Sequence, residues 1–491
     1  MTPQHPERRS DHTADLVVVA NRLPVRRSSG DDESGEWTVS PGGLVSALAP
    51  VLADRKRFAW VGWPGSADGP TEPFTHEGMR LVPVHQTEDE YSRYYEGMSN
   101  GTLWPLYHDK IEPAEFHRTW YDAYRQVNQR FADLAAEIAA PNATVWIHDY
   151  QLQMVPGFLR ALRPDLTIGF FLHIPFPPGE LFRQIPWRKA LTIGILGADL
   201  VGFQTPAGAF NFARLAESLN LATRISSDTL GRNGRRIKVK SFPIGIDADR
   251  YAEGANRPDI AQRAAAMRER LGNPKAVLLG VDRLDYTKGI DVRLRAFKEL
   301  LSEGKLLADE VKFVQVAEPS RDGVDAYVAL RERVQGLVGE INGDFAEVGV
   351  APVHYIHQSQ DFDELMSLYR CADVMMVTPF CDGMNLVAKE YVATRHDDTG
   401  VLVLSEFAGA AHELSDALIV NPYDIDGLKS ALLEAVFLDE DDAKRRMRSM
   451  RTLVFENHAS RWAESFLREL ARWSTSLAQA PAAPQKPAAT Q

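Results

Sequence analysis

A chain of 491 residues exceeds the size at which one hydrophobic core stops growing, so two or more domains are expected. Hydrophobic content of 44% and charged content of 25% are ordinary for a globular protein, and no apolar run approaches the ~20 residues a membrane span needs. The net charge of −12 excludes a general nucleic-acid binder, which needs a basic face, but not phosphorylated small molecules, which need only a local cluster of cations.

In chain order, residues 1–14 lack the apolar core of a signal peptide and read as disordered. A strand over 16–20 runs into Asn21-Arg22-Leu23-Pro24, where Pro24 forbids a helix and leaves Arg22 in an extended loop at the strand's carboxyl end. The Gly-, Asp- and Ser-rich stretch 30–36 reads as a mobile loop. Pro41-Gly42-Gly43-Leu44 then precedes an apolar helical pattern over 44–52; the glycines suit close approach to an anion and equally a simple turn. After a strand over 59–62, residues 94–105 mix aromatics with Gly, Asn and Ser without a period. They read as a loop, lining a pocket or packing at its rim.

A strand over 145–148 ends in His148-Asp149-Tyr150, with Asp149 either a helix N-cap or a site residue. The strand over 168–173 leads into Ile174-Pro175-Phe176-Pro177-Pro178, whose three prolines hold His173 at the sheet's carboxyl edge, as a structural histidine or a functional one. Strands over 200–203 and 238–243 complete this series, the last closing the sheet.

A linker near 243–248 introduces a second series, with strands over 276–281, 311–316, 353–357, 374–377, 400–404 and 418–420. Arg283 and Lys288 flank the loop after the first of these, and Arg321 lies beyond the second. The fourth leads into Asp382-Gly383-Met384-Asn385-Leu386-Val387-Ala388-Lys389-Glu390, which offers a carboxylate, a run of N–H groups at a helix start, and a second carboxylate. Open α/β sheets bind ligands at the carboxyl ends of their strands. Cations and a helix N-terminus hold phosphates, while carboxylates hold sugar hydroxyls. Together the two segments read as a site for a sugar nucleotide.

Several decoys fall away. Asp361-Phe362-Asp363 and Asp424-Ile425-Asp426 look like a metal-binding Asp-x-Asp, but each precedes a helix and reads as a cap. His354 and His357 would point to opposite strand faces. Neither a dinucleotide-binding G-x-G-x-x-G after the first strand nor a P-loop is present. Cys371 and Cys381 have no zinc or redox spacing, so a reduced, cytoplasmic setting is expected. Strand and helix alternation predicts an α/β chain with Rossmann-like parallel-sheet domains at 15–243 and 244–456, a crossover helix at 457–477 packing back across both, and a disordered tail at 478–491.

With those residues in place, the chain resembles the trehalose-6-phosphate synthases, retaining glycosyltransferases of the GT-B type, from about residue 17 to 466. The motifs that carry the resemblance are Asn21-Arg22-Leu23-Pro24, Tyr95 with Trp104-Pro105, His148-Asp149-Tyr150, His173-Ile174-Pro175-Phe176-Pro177, and the segments 281–289 and 382–390. It implies two domains facing across a cleft. It also implies transfer of glucose, with retention, from UDP-glucose or ADP-glucose to glucose 6-phosphate, forming α,α-trehalose 6-phosphate in trehalose biosynthesis.

By the same resemblance, Arg22, Tyr95, Asp149 and Arg321 would hold glucose 6-phosphate. Gly42 and Gly43 would meet the donor, and Arg283 and Lys288 its diphosphate. Asp382, Gly383, Met384 and Asn385 would engage the transferred glucose. Leu386 and Val387 would add backbone contacts, with Ala388 and Lys389 in the same donor-binding run, and Glu390 would hold the ribose. His173 would lie against the donor sugar, while Trp104 and Ile174 would shape the acceptor pocket and its choice of anomer. Catalysis is expected from Arg283, Lys288, Asp149, His173 and Asp382, with no metal or other cofactor. Gln360 stands where many relatives have Phe, in the stretch bordering the base, and leaves the preferred nucleotide open. The expected partners are the two small-molecule substrates, with neither nucleic acid nor membrane, in a homo-oligomer. The rival readings are a related synthase with another phosphorylated acceptor such as glycerol 3-phosphate, and a non-catalytic sugar-phosphate-binding homologue.

Overall fold

Runs such as Leu16-Val17-Val18-Val19-Ala20 are apolar on both faces, which suits parallel strands covered by helices on each side. The computed structural model describes residues 13–27, 37–39, 45, 48, 57–112, 114–320, 325–347 and 349–479. They form two units, one of Met1–Tyr107, Ala114–Phe242 and Ala463–Gln491, the other of His108–Pro113 and Pro243–Trp462. The expected mobile loop at 30–36, the Gly42-Gly43 turn, Arg321, and most of the two expected disordered ends lie outside the described residues.

The first unit contains β1 (Ala14–Arg22), the hairpin β2 (Val25–Arg27) and β3 (Trp37–Val39), β4 (Phe58–Trp63), β5 (Phe74–His76), β6 (Met79–Pro83), β7 (Ala139–His148), β8 (Thr167–Leu172), β9 (Leu200–Phe203), β10 (Thr223–Ser226), β11 (Thr229–Arg232) and β12 (Arg235–Ser241). The main sheet has the order β10-β11-β12-β9-β8-β7-β1-β4-β6-β5. From β12 to β6 every pairing is parallel. The final strand of the sequence reading does not close the sheet, because antiparallel β10, β11 and β5 extend it at both edges. Those short, polar edge strands carry no continuous apolar run for a sequence pattern to catch.

The second unit contains β13 (Ala276–Arg283), β14 (Val311–Glu318), β15 (Val353–Ile356), β16 (Val374–Val377), β17 (Val401–Ser405) and β18 (Leu418–Val420). They pair in the order β15-β14-β13-β16-β17-β18, all parallel. In each sheet the chain winds outward in both directions from a central pair, β1 and β7 in the first unit, β13 and β16 in the second. Where the winding reverses, the loops on the two strands diverge and leave a crevice at their carboxyl ends. Arg22 ends β1 and Asp149 follows β7; Arg283 ends β13 and Asp382 lies in the loop after β16.

Asp361 and Asp424 are caps, accepting from Glu364 N at 2.8 Å and Gly427 N at 3.0 Å. The stretch expected as a loop at 94–105 is instead helical, wide-turned over Ser92–Leu103 and α-helical over Trp104–Tyr107. Its glycines serve packing rather than turning: a Cβ on Gly97 would lie 2.5 Å from Trp120 Cδ2. Side chains reinforce the wide turns, with Ser99 Oγ and Asn100 Nδ2 each donating to the carbonyl five residues back at 2.8 Å.

The last helical stretch is two helices, Glu440–Glu456 and Ala459–Gln479, and the second carries the chain back to the first unit. There Phe466 stacks on Trp146 with ring centres 4.6 Å apart. Gly169 and Gly202 make the seat, since a Cβ on either would lie 2.7 Å from the Phe466 ring. Among the described residues no helix is long and apolar enough to cross a membrane.

Candidate functional site

In the second unit, the loops after β13 and β16 are tied together by a hydrogen bond from Phe380 N to Thr287 O at 2.8 Å. Asp285, fully buried, braces the first loop by accepting from Thr287 N at 2.9 Å and Tyr327 Oη at 3.1 Å. Lys288 is thereby aimed at Asp382, with Nζ 2.6 Å from Oδ2. Asn385 Nδ2 donates to the same oxygen at 3.1 Å. Burial raises the Asp382 carboxyl, but the Lys288 ammonium and the hydrogen bonds outweigh it and hold the group below the ordinary carboxylate value. The Asp382 carboxyl is therefore ionised at neutral pH.

Asn385 caps the helix Leu386–Thr394, its side chain accepting from Ala388 N at 3.3 Å. Its backbone sits at φ 72°, ψ 90°, outside the left-handed helical well, at a strain of about 1–3 kcal/mol. The Ala388 amide is spent on this cap, so Leu386 and Val387 are the amides free of an intrahelical acceptor at the helix mouth. Gly383 and Met384 are buried and held by Gly409 N donating to Asp382 O at 3.2 Å and Ala410 N donating to Met384 O at 2.8 Å. Arg283 ends β13 exposed beside this loop. Glu390 accepts from Tyr369 Oη at 2.9 Å, and burial pushes its carboxyl up against the hydrogen bonds from Tyr369 and Tyr251.

Lys389 needs correcting. Its side chain is buried, donates to Ile244 O at 2.8 Å and pairs with Glu413, so it stitches the helix to the start of the unit rather than reaching a donor. A residue missed by sequence reasoning lies beneath the loops. Arg293 is fully buried, pairs with Asp282, and donates to Gln315 Oε1 at 3.0 Å and Met376 O at 2.9 Å. It bolts β13, β14 and β16 together; only its position on a helix, where an Arg ordinarily faces solvent, was visible beforehand.

In the first unit, Arg22 Cζ lies 5.0 Å from the Trp63 ring centre, Trp63 stacks on Tyr91 at 4.6 Å, and Tyr91 on Tyr95 at 5.0 Å. The Arg22 guanidinium also acts on the Tyr91 hydroxyl, opposing the burial that raises it. Tyr94 Oη donates to Asn21 Oδ1 at 2.8 Å and anchors the wide helix to the end of β1. Trp104 and Ile174 are buried; Trp104 packs against Tyr150, with ring centres 5.6 Å apart. Trp63 was not singled out by the sequence reading, although it pairs with Arg22 across the sheet.

Asp149 stands at the N-cap position of the short helix Tyr150–Leu152, but its side chain makes no capping hydrogen bond. Its carboxylate accepts from His173 N at 3.1 Å, and its backbone takes φ 75°, ψ 171°, a region otherwise left to glycine. The strained residues Asp149 and Asn385 thus occupy equivalent places in the two sheets. Gln204 Nε2 donates to His173 Nδ1 at 3.4 Å, so His173 Nε2 carries the proton it offers to His148 Nδ1 at 3.2 Å. Burial drives the His173 pKa down to about 3; burial first, and then the neighbouring His173 imidazole, drive His148 well below its ordinary value. Both imidazoles are neutral near pH 7 and act as hydrogen-bonding groups.

Because the unfolded chain takes up protons near pH 6.5 and the folded His173 does not until about 3, the native state loses about 1.4 kcal/mol per pH unit on acidification across that window. Urea unfolding from pH 7 to 4 should therefore fall less steeply for His173→Asn than for the parent. Parallel slopes would remove His173 as the source.

Two largely parallel sheets, each with charged or strained residues at its winding reversal, give this chain the two-sheet α/β architecture of the GT-B glycosyltransferases. The profile of glycosyltransferase family 20 matches residues 14–472. The chain belongs to glycosyltransferase family 20. A trehalose-6-phosphate synthase of Mycolicibacterium smegmatis is 52% identical over 479 residues, covering 96% of this chain and 95% of its own. A solved α,α-trehalose-phosphate synthase (UDP-forming) of Burkholderia xenovorans in complex with glucose-6-phosphate matches with a TM-score of 0.85 at 35% identity, over 93% of this chain and 99% of its own. An E. coli structure bound with UDP-2-fluoro glucose matches with a TM-score of 0.84 at 34% identity, over 93% and 98%.

Proposed function

We propose that this glycosyltransferase moves glucose from UDP-glucose or ADP-glucose to glucose 6-phosphate with retention, giving α,α-trehalose 6-phosphate and a nucleoside diphosphate. The observation that carries the reading is the Lys288–Asp382 pair at the mouth of helix Leu386–Thr394. Relatives bound to glucose-6-phosphate and to UDP-2-fluoro glucose support the choice of substrates.

Arg283, Lys288 and the Leu386 and Val387 amides would take up the charge that builds on the diphosphate as the C1–O bond breaks. Asp382 Oδ1, with Gly383, Met384 and Asn385, would hold the hydroxyls of the transferred glucose, and neutral His173 would lie against that sugar. Glu390 would hold the ribose. The new C1–O bond forms on the face the phosphate leaves, and the acceptor's hydroxyl proton passes to the departing phosphate oxygen. Asp382 suits an anchor better than a nucleophile, because Lys288 and Asn385 both hold its Oδ2. Arg22, Tyr95 and Asp149 would grip glucose 6-phosphate, with Trp104 and Ile174 lining its pocket. With protein cations supplying the electrostatics, no metal is required.

The test is nucleotide release from UDP-, ADP- and GDP-glucose, with and without glucose 6-phosphate, in EDTA. Release that depends on glucose 6-phosphate and survives the chelator is expected; indifference to the acceptor sinks the assignment. Arg22→Ala should weaken glucose 6-phosphate by about 2 kcal/mol, roughly 30-fold, while sparing unphosphorylated glucose. Equal discrimination by variant and parent would free Arg22 of the phosphate.

A further inference from the structure

Directly after the helix Trp104–Tyr107 the chain leaves the first unit, packs with the second over His108–Pro113, and returns at Ala114. The excursion meets, in reverse order, the residues that lead into Asp382. Lys110 Nζ lies 4.0 Å from the Phe380 ring centre and 5.4 Å from that of Tyr423, and donates to Tyr423 Oη at 3.5 Å. The Phe380 and Tyr423 rings are 4.7 Å apart, so one ammonium closes an aromatic pair. Cys381 Sγ donates to Asp109 Oδ2 at 3.9 Å. His108, buried, acts on Asp382 itself and favours its ionised form. Asp109 makes the turn at φ 57°.

We propose that Lys110 and Asp109 are positioning residues for Asp382, holding Phe380-Cys381-Asp382 in the register that presents the carboxylate to the donor sugar. Ordering a polar strap against Phe380 and Tyr423 opposes chain entropy at every residue, and the Lys110 ammonium is partly desolvated there, so the compensating contacts must be specific. The inference rests on the reading of Asp382 as the anchor of the transferred glucose.

The experiment compares the parent, Lys110→Met, Lys110→Arg and Asp109→Gly by calorimetric titration with UDP and with UDP-glucose, without acceptor, alongside thermal midpoints. UDP lacks the sugar that Asp382 would hold. Lys110→Met and Asp109→Gly should therefore bind UDP as the parent does and lose about tenfold in UDP-glucose affinity, while Lys110→Arg keeps it. Asp109→Gly tolerates the backbone turn, so it reports even if Lys110→Met does not fold. Undiminished UDP-glucose binding in the folded variants overturns the proposal, as does an equal loss for UDP and UDP-glucose. Turnover of the parent with glucose 6-phosphate is measured separately; its absence would strike the proposed reaction, while the binding comparison still judges the strap.

Discussion

Lys288→Ala should fold and bind glucose 6-phosphate normally yet lose about 10²–10³-fold in kcat, or roughly 2.7–4 kcal/mol of transition-state stabilisation. The ammonium is held by the braced loop after β13 and is largely buried, so its field is little screened by water. Its removal acts twice. The leaving diphosphate loses a cation, and Asp382 keeps His108 and Asn385 alone of these groups against a burial that raises its carboxyl. The surviving activity of Lys288→Ala should consequently fall off at higher pH than that of the parent, as Asp382 begins to protonate. Arg283→Ala should lose a similar factor without that pH signature, because the Lys288 ammonium is the first of the groups that hold the Asp382 carboxyl down. A near-parental kcat for Lys288→Ala would remove it from the reaction.

Arg293→Met should destabilise the second unit by about 3–5 kcal/mol, the cost of leaving a buried carboxylate uncompensated. The guanidinium is wholly enclosed, and its partners Asp282, Gln315 and the Met376 carbonyl sit on three different strands. The paired change Arg293→Met with Asp282→Leu should recover most of the loss, since replacing both members of a buried pair by apolar side chains is often neutral. Urea midpoints for the single and double variants decide this. A single variant as stable as the parent would show that the pair is dispensable.

The sequence shows the central strands because both faces of a parallel strand are apolar, and Val17, Leu278 and Val374 announce themselves in any order of reading. The loops beyond them were legible for a related reason: glycine, proline and charge directly after an apolar run mark a strand end. What escaped were properties of partners. Residues 92–103 lack helical periodicity because Tyr94, Ser99 and Asn100 are buried on a wide helix held against Trp120. Arg293 and Lys389 look like solvent-facing cations until Asp282 and Glu413, distant in sequence, arrive beside them. The strap at His108–Pro113 has no local signature, since its meaning lies in Phe380 and Tyr423.

The seat of Phe466 has a consequence for synthesis. The whole of Pro243–Trp462 is made before the side chain that caps Trp146 exists. At ~5–20 residues per second, the nascent first unit waits on the ribosome for roughly ten to forty seconds with that aromatic face bare. Each newly made molecule thus passes through an interval in which its earliest-born sheet is the greasy one, open to chaperones and to neighbouring chains.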